Sequence, residues 1–287
     1  MAAAASGSCG FKEMNDLGNE AETRLNALLA DAGLAPLQHK QSKQFTIYLS
    51  LILRWNARMN LTAVRNQEGI LARHFVESIA CARALPAGIE TLLDFGSGAG
   101  FPGIPIALCR PEIAVTLAES QGKKAAFLQE AVRVIGLSAK VHAGRAETLA
   151  TGFDCVTLRA VDRMEMAVQA GAGLVRPDGW LALMTTGAEL ARLQAAAGAE
   201  FSWAEPTPLP GSEGRLMALG ARLGFARLRG TSFKLHAERP PHCAETAASS
   251  RRSRPAGRSN RPVPARVRRS CPVRNRFQPV WAEQHGQ

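Results

Sequence analysis

One run of twelve residues limits the folds open to this chain: Leu92-Leu93-Asp94-Phe95-Gly96-Ser97-Gly98-Ala99-Gly100-Phe101-Pro102-Gly103. A short apolar strand leads into a glycine-rich turn, and the turn opens a helix. Glycines let a backbone turn tightly and approach a ligand with no side chain in the way. The helix start then offers free N–H groups to an anionic group. From residue 90 onward the same alternation repeats. Apolar runs at 91–95, 113–118, 139–143, 153–158 and 180–184 read as buried parallel strands. Helical stretches at 121–135, 164–174 and 188–197 lie between them, the first striped by Phe127, Leu128, Ala131, Val134 and Ile135. Such repeats predict an α/β fold, a doubly wound Rossmann-like sheet with helices on both faces. Segments 201–207 and 215–221, separated by Pro208, Pro210 and Gly211, predict a closing antiparallel pair.

The second strand ends at Glu119, 23 residues after Gly96. An acid there can accept hydrogen bonds from both ribose hydroxyls of an adenosine cofactor. Gly98-Ala99-Gly100-Phe101-Pro102-Gly103 fits G-x-G-x-x-G, so this segment alone admits a nicotinamide oxidoreductase or a methyltransferase that uses S-adenosylmethionine. Two details favour the methyltransferase. Asp94 sits just before the glycines, where a buried acid can order the loop and face a cationic ligand. Pro102 lies in the turn, where a pyrophosphate would need helix-end N–H groups.

The residues before the sheet are helical. Phe45, Leu49, Ile52 and Leu53 share one face of a helix over 41–59, and a second helix over 68–85 ends at Pro86 and Gly88. Four regions result: a flexible N-terminus (1–18), a helical extension (19–89), the α/β domain (90–225) and an Arg/Pro-rich tail (238–287) that reads as disordered. The formal net charge of +11 suits a polyanionic partner. However, ten arginines against two glutamates in residues 240–287 leave only +3 on the rest. The tail reads equally as an RNA-binding arm or as read-through without function. The six cysteines form no C-x-x-C pair, and His242-Cys243 stands isolated, so no metal site is expected. No apolar run reaches membrane-spanning length.

Several further motifs stand in order: Trp55-Asn56-Ala57-Arg58-Met59-Asn60-Leu61-Thr62-Ala63-Val64-Arg65, Arg73-His74-Phe75-Val76-Glu77-Ser78-Ile79, Gly96 to Pro105, Arg110-Pro111-Glu112, Glu119 to Leu128, and Arg159-Ala160. Over roughly residues 40–220 the chain resembles the RsmG family, also called glucose-inhibited division protein B. The resemblance implies a class I methyltransferase fold with an N-terminal helical extension. It also implies S-adenosylmethionine as methyl donor and N7 methylation of a guanine in 16S ribosomal RNA. By similarity, cofactor contacts fall on Gly96, Phe101, Ala146, Glu147 and Arg159. Gly98 and Glu119 join them on general grounds. The expected partner is the small ribosomal subunit, met by a cytoplasmic monomer with no metal.

Guanine N7 carries a lone pair and no proton, so alignment rather than a general base is what the reaction demands. No Asn/Asp-Pro-Pro-aromatic motif or Pro-Cys step follows the fourth strand, and Cys155 reads as a buried small apolar residue. Arg159 can position the methionine carboxylate or the target base, or can form a strand-end salt bridge. Arg65, Arg73, His74, Lys123 and Lys124 are candidate RNA contacts, with solvated helix faces as the other reading. Two positions depart from the family pattern. After the fifth strand, where the family has a lysine-glycine step, Thr185-Thr186-Gly187 lacks the lysine, and Leu158 replaces a serine before Arg159. The missing lysine and the basic tail motivate an alternative, a catalytically impaired RNA-binding protein on the same fold.

Overall fold

A computed structural model describes residues 8–149, 152–211 and 213–224, with side chains from residue 18 onward. All fall within one compact unit, Met1–His236. The Arg/Pro-rich tail, with His242 and Cys243, lies outside the described residues.

The chain opens with α1 (Ser8–Asp31) and α2 (His39–Asn56). The described part of the N-terminal segment, expected to be flexible, is therefore helical from Ser8. Its Ala, Ser and Gly content is concentrated before residue 11, and the Lys12–Leu17 stretch that follows contains good helix formers. Next, α3 (Gln67–Gly69) runs into a π-helical segment, Ile70–Val76, and on into α4 (Glu77–Ala84). The hydrophobic spacing predicts a helix here but not its π portion.

The sheet begins with β1 (Thr91–Phe95), followed by α5 (Gly103–Cys109), β2 (Ala114–Ala118), α6 (Gly122–Ile135), β3 (Lys140–His142) and β4 (Phe153–Arg159). Then come α7 (Met164–Leu174), β5 (Val175–Thr186), α8 (Gly187–Ala197), β6 (Phe201–Trp203), β7 (Thr207–Pro208) and β8 (Arg215–Arg222). The strand order is β3-β2-β1-β4-β5-β8-β6, with β7 also on β8. Strands β1 to β5 are parallel, whereas β8 pairs antiparallel with β5, β6 and β7. The expected closing pair is thus present, and its second strand is inserted against β5.

Alternate residues on each strand serve two cores. Leu92, Cys155, Ala182 and Met184 face the helical extension, α5 and α6. Leu93, Val156, Leu158, Leu181 and Leu183 face α7 and α8. Both faces are buried, which is why these strands read as continuous apolar runs. The first core continues without a break through Phe45, Tyr48, Ile52 and Phe75, so the extension and the sheet share one interior. Strand order reverses between β1 and β4, and in open α/β sheets ligands bind outside the carboxyl ends of the strands at such a point.

Candidate functional site

A cleft of about 760 Å³ opens there, of a size suited to a small-molecule ligand. Its floor is the glycine loop, Phe95 to Ala99 and Phe101. Gly96, Gly98 and Gly100 all have positive φ, at 70°, 59° and 95°. Gly100 has little choice of residue, since a Cβ there would lie 2.7 Å from the Tyr48 hydroxyl and 2.6 Å from Ile104 Cδ1. Gly103 meets a similar limit against Leu117 and Asp94, which is the close helix–strand approach the motif predicts.

Asp94 orders this loop from behind. Its Oδ2 accepts from the Gly103 N–H at 3.1 Å, at the start of α5, and its Oδ1 accepts from Thr157 Oγ1 at 3.0 Å. Burial pushes its carboxyl up to about 6 against the pull of these bonds. It does not line the cleft. The expectation that Asp94 faces a cationic ligand is thus corrected: the side chain is consumed by the helix start.

Glu119 lines the cleft at the end of β2 and is nearly buried. Its Oε2 accepts from Gly98 N–H at 2.9 Å and its Oε1 from Gln121 N–H at 2.7 Å. Each oxygen keeps a further lone pair, so an oriented carboxylate with spare acceptor capacity stands beside the glycines. Ala146 and Glu147 lie on the same wall, Ala146 buried and Glu147 ion-paired with Arg145 at 2.8 Å.

The far wall comes from the helical extension. Arg159, at the end of β4, is a hub. Its Nη1 donates to Ser78 Oγ at 3.3 Å. Its Nη2 faces Glu77 Oε2 at 2.8 Å, His74 Nδ1 at 2.9 Å and Arg73 O at 3.0 Å. The guanidinium lies 5.7 Å from the Phe101 ring centroid. Burial lowers its pKa to about 10, although Glu77 opposes the shift. Of the two readings open for Arg159, the strand-end salt bridge is present. Phe101 is embedded as well, stacked on His74 at 4.8 Å and touching Tyr48 and Phe75. Tyr48, the chain's single tyrosine, donates to Ala99 O at 2.6 Å.

His74 is turned inward. Its Nδ1 accepts from Arg159, which leaves Nε2–H to donate to Thr62 Oγ1 at 2.7 Å. Burial and the neighbouring Arg159 lower its pKa to about 3, so the ring is neutral and offers no charge to a phosphate. His74 lines the cleft, so any contact it makes with RNA is one of a neutral ring rather than of a cation. Arg73 is exposed on the cleft wall and Lys124 half-exposed. Arg65, bound to Asn60 Oδ1 at 3.0 Å, and Lys123 lie off the wall.

The loop after β4 carries backbone strain. Ala160 and Arg163 adopt left-handed φ of 50° and 52°, a conformation that costs a non-glycine residue on the order of 1–2 kcal/mol. Val161 fills the space above Gly96, where an added Cβ would come within 3.0 Å. The sequence alone assigns no role to Glu77, Tyr48 or this loop. The signal for Glu77 is an acid between Val76 and Ser78, on a helical stretch whose neighbours Phe75, Val76 and Ile79 are apolar, inside the Arg73–Ile79 motif.

Thr185 and Thr186 both reach Glu189 Oε2 at 3.2 Å, locking the start of α8, and neither lines the cleft. Leu158 packs fully buried against Gly171 of α7. Cys155 is buried and its thiol pKa raised by burial, in keeping with a core residue. Among the described residues no cluster of His, Cys, Asp and Glu could hold a metal, and no helix is long and apolar enough to cross a membrane.

The family model described as rRNA small subunit methyltransferase G matches residues 41–207, more than half of the chain. The chain belongs to this family. Among curated relatives, a ribosomal RNA small subunit methyltransferase G from Roseiflexus sp. (strain RS-1) is 38% identical over 65% of this chain and 86% of its own length. One of the same name from Xanthomonas euvesicatoria pv. vesicatoria is 40% identical over 62% of this chain and 84% of its own. Among solved structures, the mitomycin 7-O-methyltransferase MmcR is 16% identical with a TM-score of 0.48, over 73% of this chain and 68% of that one. Membership in this family sets aside the nicotinamide reading. Nor does it favour the impaired-enzyme alternative, and the lysine that alternative misses belongs to a position off the cleft.

Proposed function

We propose that the chain transfers the methyl group of S-adenosylmethionine to N7 of a guanine in 16S ribosomal RNA, within the small ribosomal subunit and in the cytoplasm. The observation that carries this reading is the placement of Glu119. In a member of a methyltransferase family, a nearly buried carboxylate is held at the glycine turn by the Gly98 and Gln121 N–H groups. Its free lone pairs suit ribose hydroxyls. Ala146 and Glu147 stand where an adenine edge can be read, and Gly96, Gly98 and Phe101 form the floor beneath.

When bound, the cofactor supplies a sulfonium methyl open to in-line displacement. The protein's residues then have to orient the base and hold it still. N7 needs no proton removed, and the cleft agrees with that economy, since its histidine is neutral and tied at both ring nitrogens. Arg159 lines the cleft at the end of β4, where its bonds to Glu77, Ser78, His74 and the Arg73 carbonyl hold the helical wall and its guanidinium lies over Phe101. Arg73 and Lys124 offer positive charge to RNA phosphates at the cleft, where binding is independent of sequence.

The test is transfer of labelled methyl from S-adenosylmethionine to small subunits lacking their own N7 mark, with the modified base then identified. Label at a single guanine N7 is the expected result. Binding of S-adenosylhomocysteine without any transfer would instead revive the impaired-enzyme alternative.

A further inference from the structure

We infer that Asp162 reads the Watson–Crick edge of the target guanine. This rests on the guanine-N7 reading and names the residue that gives it base specificity. Adenine also carries an N7, so alignment at that atom cannot tell the two purines apart. Guanine differs by presenting two donors, N1–H and the 2-amino group, on the opposite edge, and a carboxylate accepts from both. Where adenine has an unprotonated N1, the same carboxylate meets a lone pair and is repelled.

Three carboxylates line the cleft. Glu119 is turned onto the backbone of Gly98 and Gln121, and Glu147 is paired with Arg145. Asp162 is exposed, and among the described residues it has neither a side-chain hydrogen bond nor an ion pair. An aspartate just ahead of a helix ordinarily caps it. Here the cap position of α7 falls on Arg163, in a left-handed conformation, and no side-chain cap bond forms. Asp162 is therefore not spent on the helix. Its neighbour Val161 lies over Gly96, and the left-handed residues Ala160 and Arg163 flank the pair. The result is an uncommitted acceptor on the loop after β4, beside the glycine floor.

The experiment compares small subunits reconstituted with guanine or with hypoxanthine at the target position. Hypoxanthine keeps N7 and N1–H but lacks the 2-amino group. The wild-type chain should favour guanine by about 10- to 100-fold in kcat/KM, the range of one hydrogen bond to a charged group. Asp162→Ala removes both bonds, so it should lower kcat/KM for guanine by at least that factor, bring the guanine-to-hypoxanthine ratio close to one, and leave the Kd for S-adenosylhomocysteine within about twofold. Asp162→Glu should keep part of the preference. A ratio identical in wild type and Asp162→Ala overturns the assignment alone. Failure of the wild type to methylate either base at N7 overturns the guanine-N7 reading with it.

Discussion

Arg159 at the end of β4 and Glu77 at the start of α4 form an ion pair of 2.8 Å, with side-chain exposures of only 5% and 0%. Arg215 of β8 reaches the other Glu77 oxygen at 3.3 Å. One buried carboxylate thus ties three parts of the fold together behind the cleft. Replacing it leaves two largely buried guanidinium groups without their counter-charge. Glu77→Gln should cost about 3–5 kcal/mol, the range seen when one partner of a buried pair is removed. Urea denaturation measures it, and an unchanged midpoint would mean the tie adds nothing.

The tethered imidazole makes stability depend on pH. In the unfolded chain His74 takes up a proton below about 6.5, whereas in the fold it stays neutral down to about 3. Between those values the unfolded state binds the extra proton, so this contribution is complete above pH 6.5 and shrinks as pH falls. Asp94, raised to about 6, works the other way, because the folded state there holds a proton that the unfolded state has released. The His74 share is isolated by subtraction. Between pH 7.5 and 5.5 the wild type should lose about 1 kcal/mol more than His74→Gln does. Parallel curves for the two proteins would rule out a depressed histidine.

Cofactor affinity tests the acid beside the glycines. Glu119→Ala removes the acceptors proposed for the ribose and frees the Gly98 N–H. Binding of S-adenosylhomocysteine, followed by calorimetry, should weaken by about 1.5–3 kcal/mol, the scale of a hydrogen bond to a charged group. An unaltered Kd would remove Glu119 from the site.

Two glycines separate conformation from space. Gly100→Ala forces a side chain into a positive φ and against Tyr48 and Ile104, and should destabilise the fold by about 2 kcal/mol or more. Gly122→Ala opens α6 where a Cβ meets nothing within 4 Å, and should be neutral or stabilising by up to about 1 kcal/mol. Thermal melts of the two variants should therefore move apart.

The salt dependence of RNA binding distinguishes the basic residues. Arg73→Ala should weaken binding and lower the slope of log K against log salt by about one, as for the loss of a single phosphate contact. Lys123→Ala, exposed off the cleft wall, should change both less.

Much of this molecule was legible in its residues, and the reason is period and punctuation. The central strands β1 and β4 and the second half of β5 are covered on both faces and announce themselves as mostly apolar runs, whereas the edge strand β3, Lys140-Val141-His142, is exposed to half-exposed. Glycines with φ above zero mark the loop unmistakably, and Glu119 stands at the fixed distance a β-α-β unit demands. The partners of Arg159 were not legible, because Glu77, His74 and Ser78 lie about 80 residues away in sequence and meet it only in three dimensions. Thr185 and Thr186 misled for the opposite reason. A missing lysine is conspicuous in a row of letters, while the side chains that replace it are busy with Glu189 and face elsewhere.

The π-helical segment Ile70–Val76 sets the phase of the helical wall of the cleft. Arg73 and His74 lie within it and Glu77 and Ser78 just after it, yet Arg159 touches all four. A π turn takes more residues than an α turn, so it acts as a vernier between the two registers. Deleting one residue from that segment would restore a regular α-helix and swing one group or the other about 100° around its axis. The helix would survive the deletion with its hydrogen bonds complete, and the cleft would lose either its wall or its anchor.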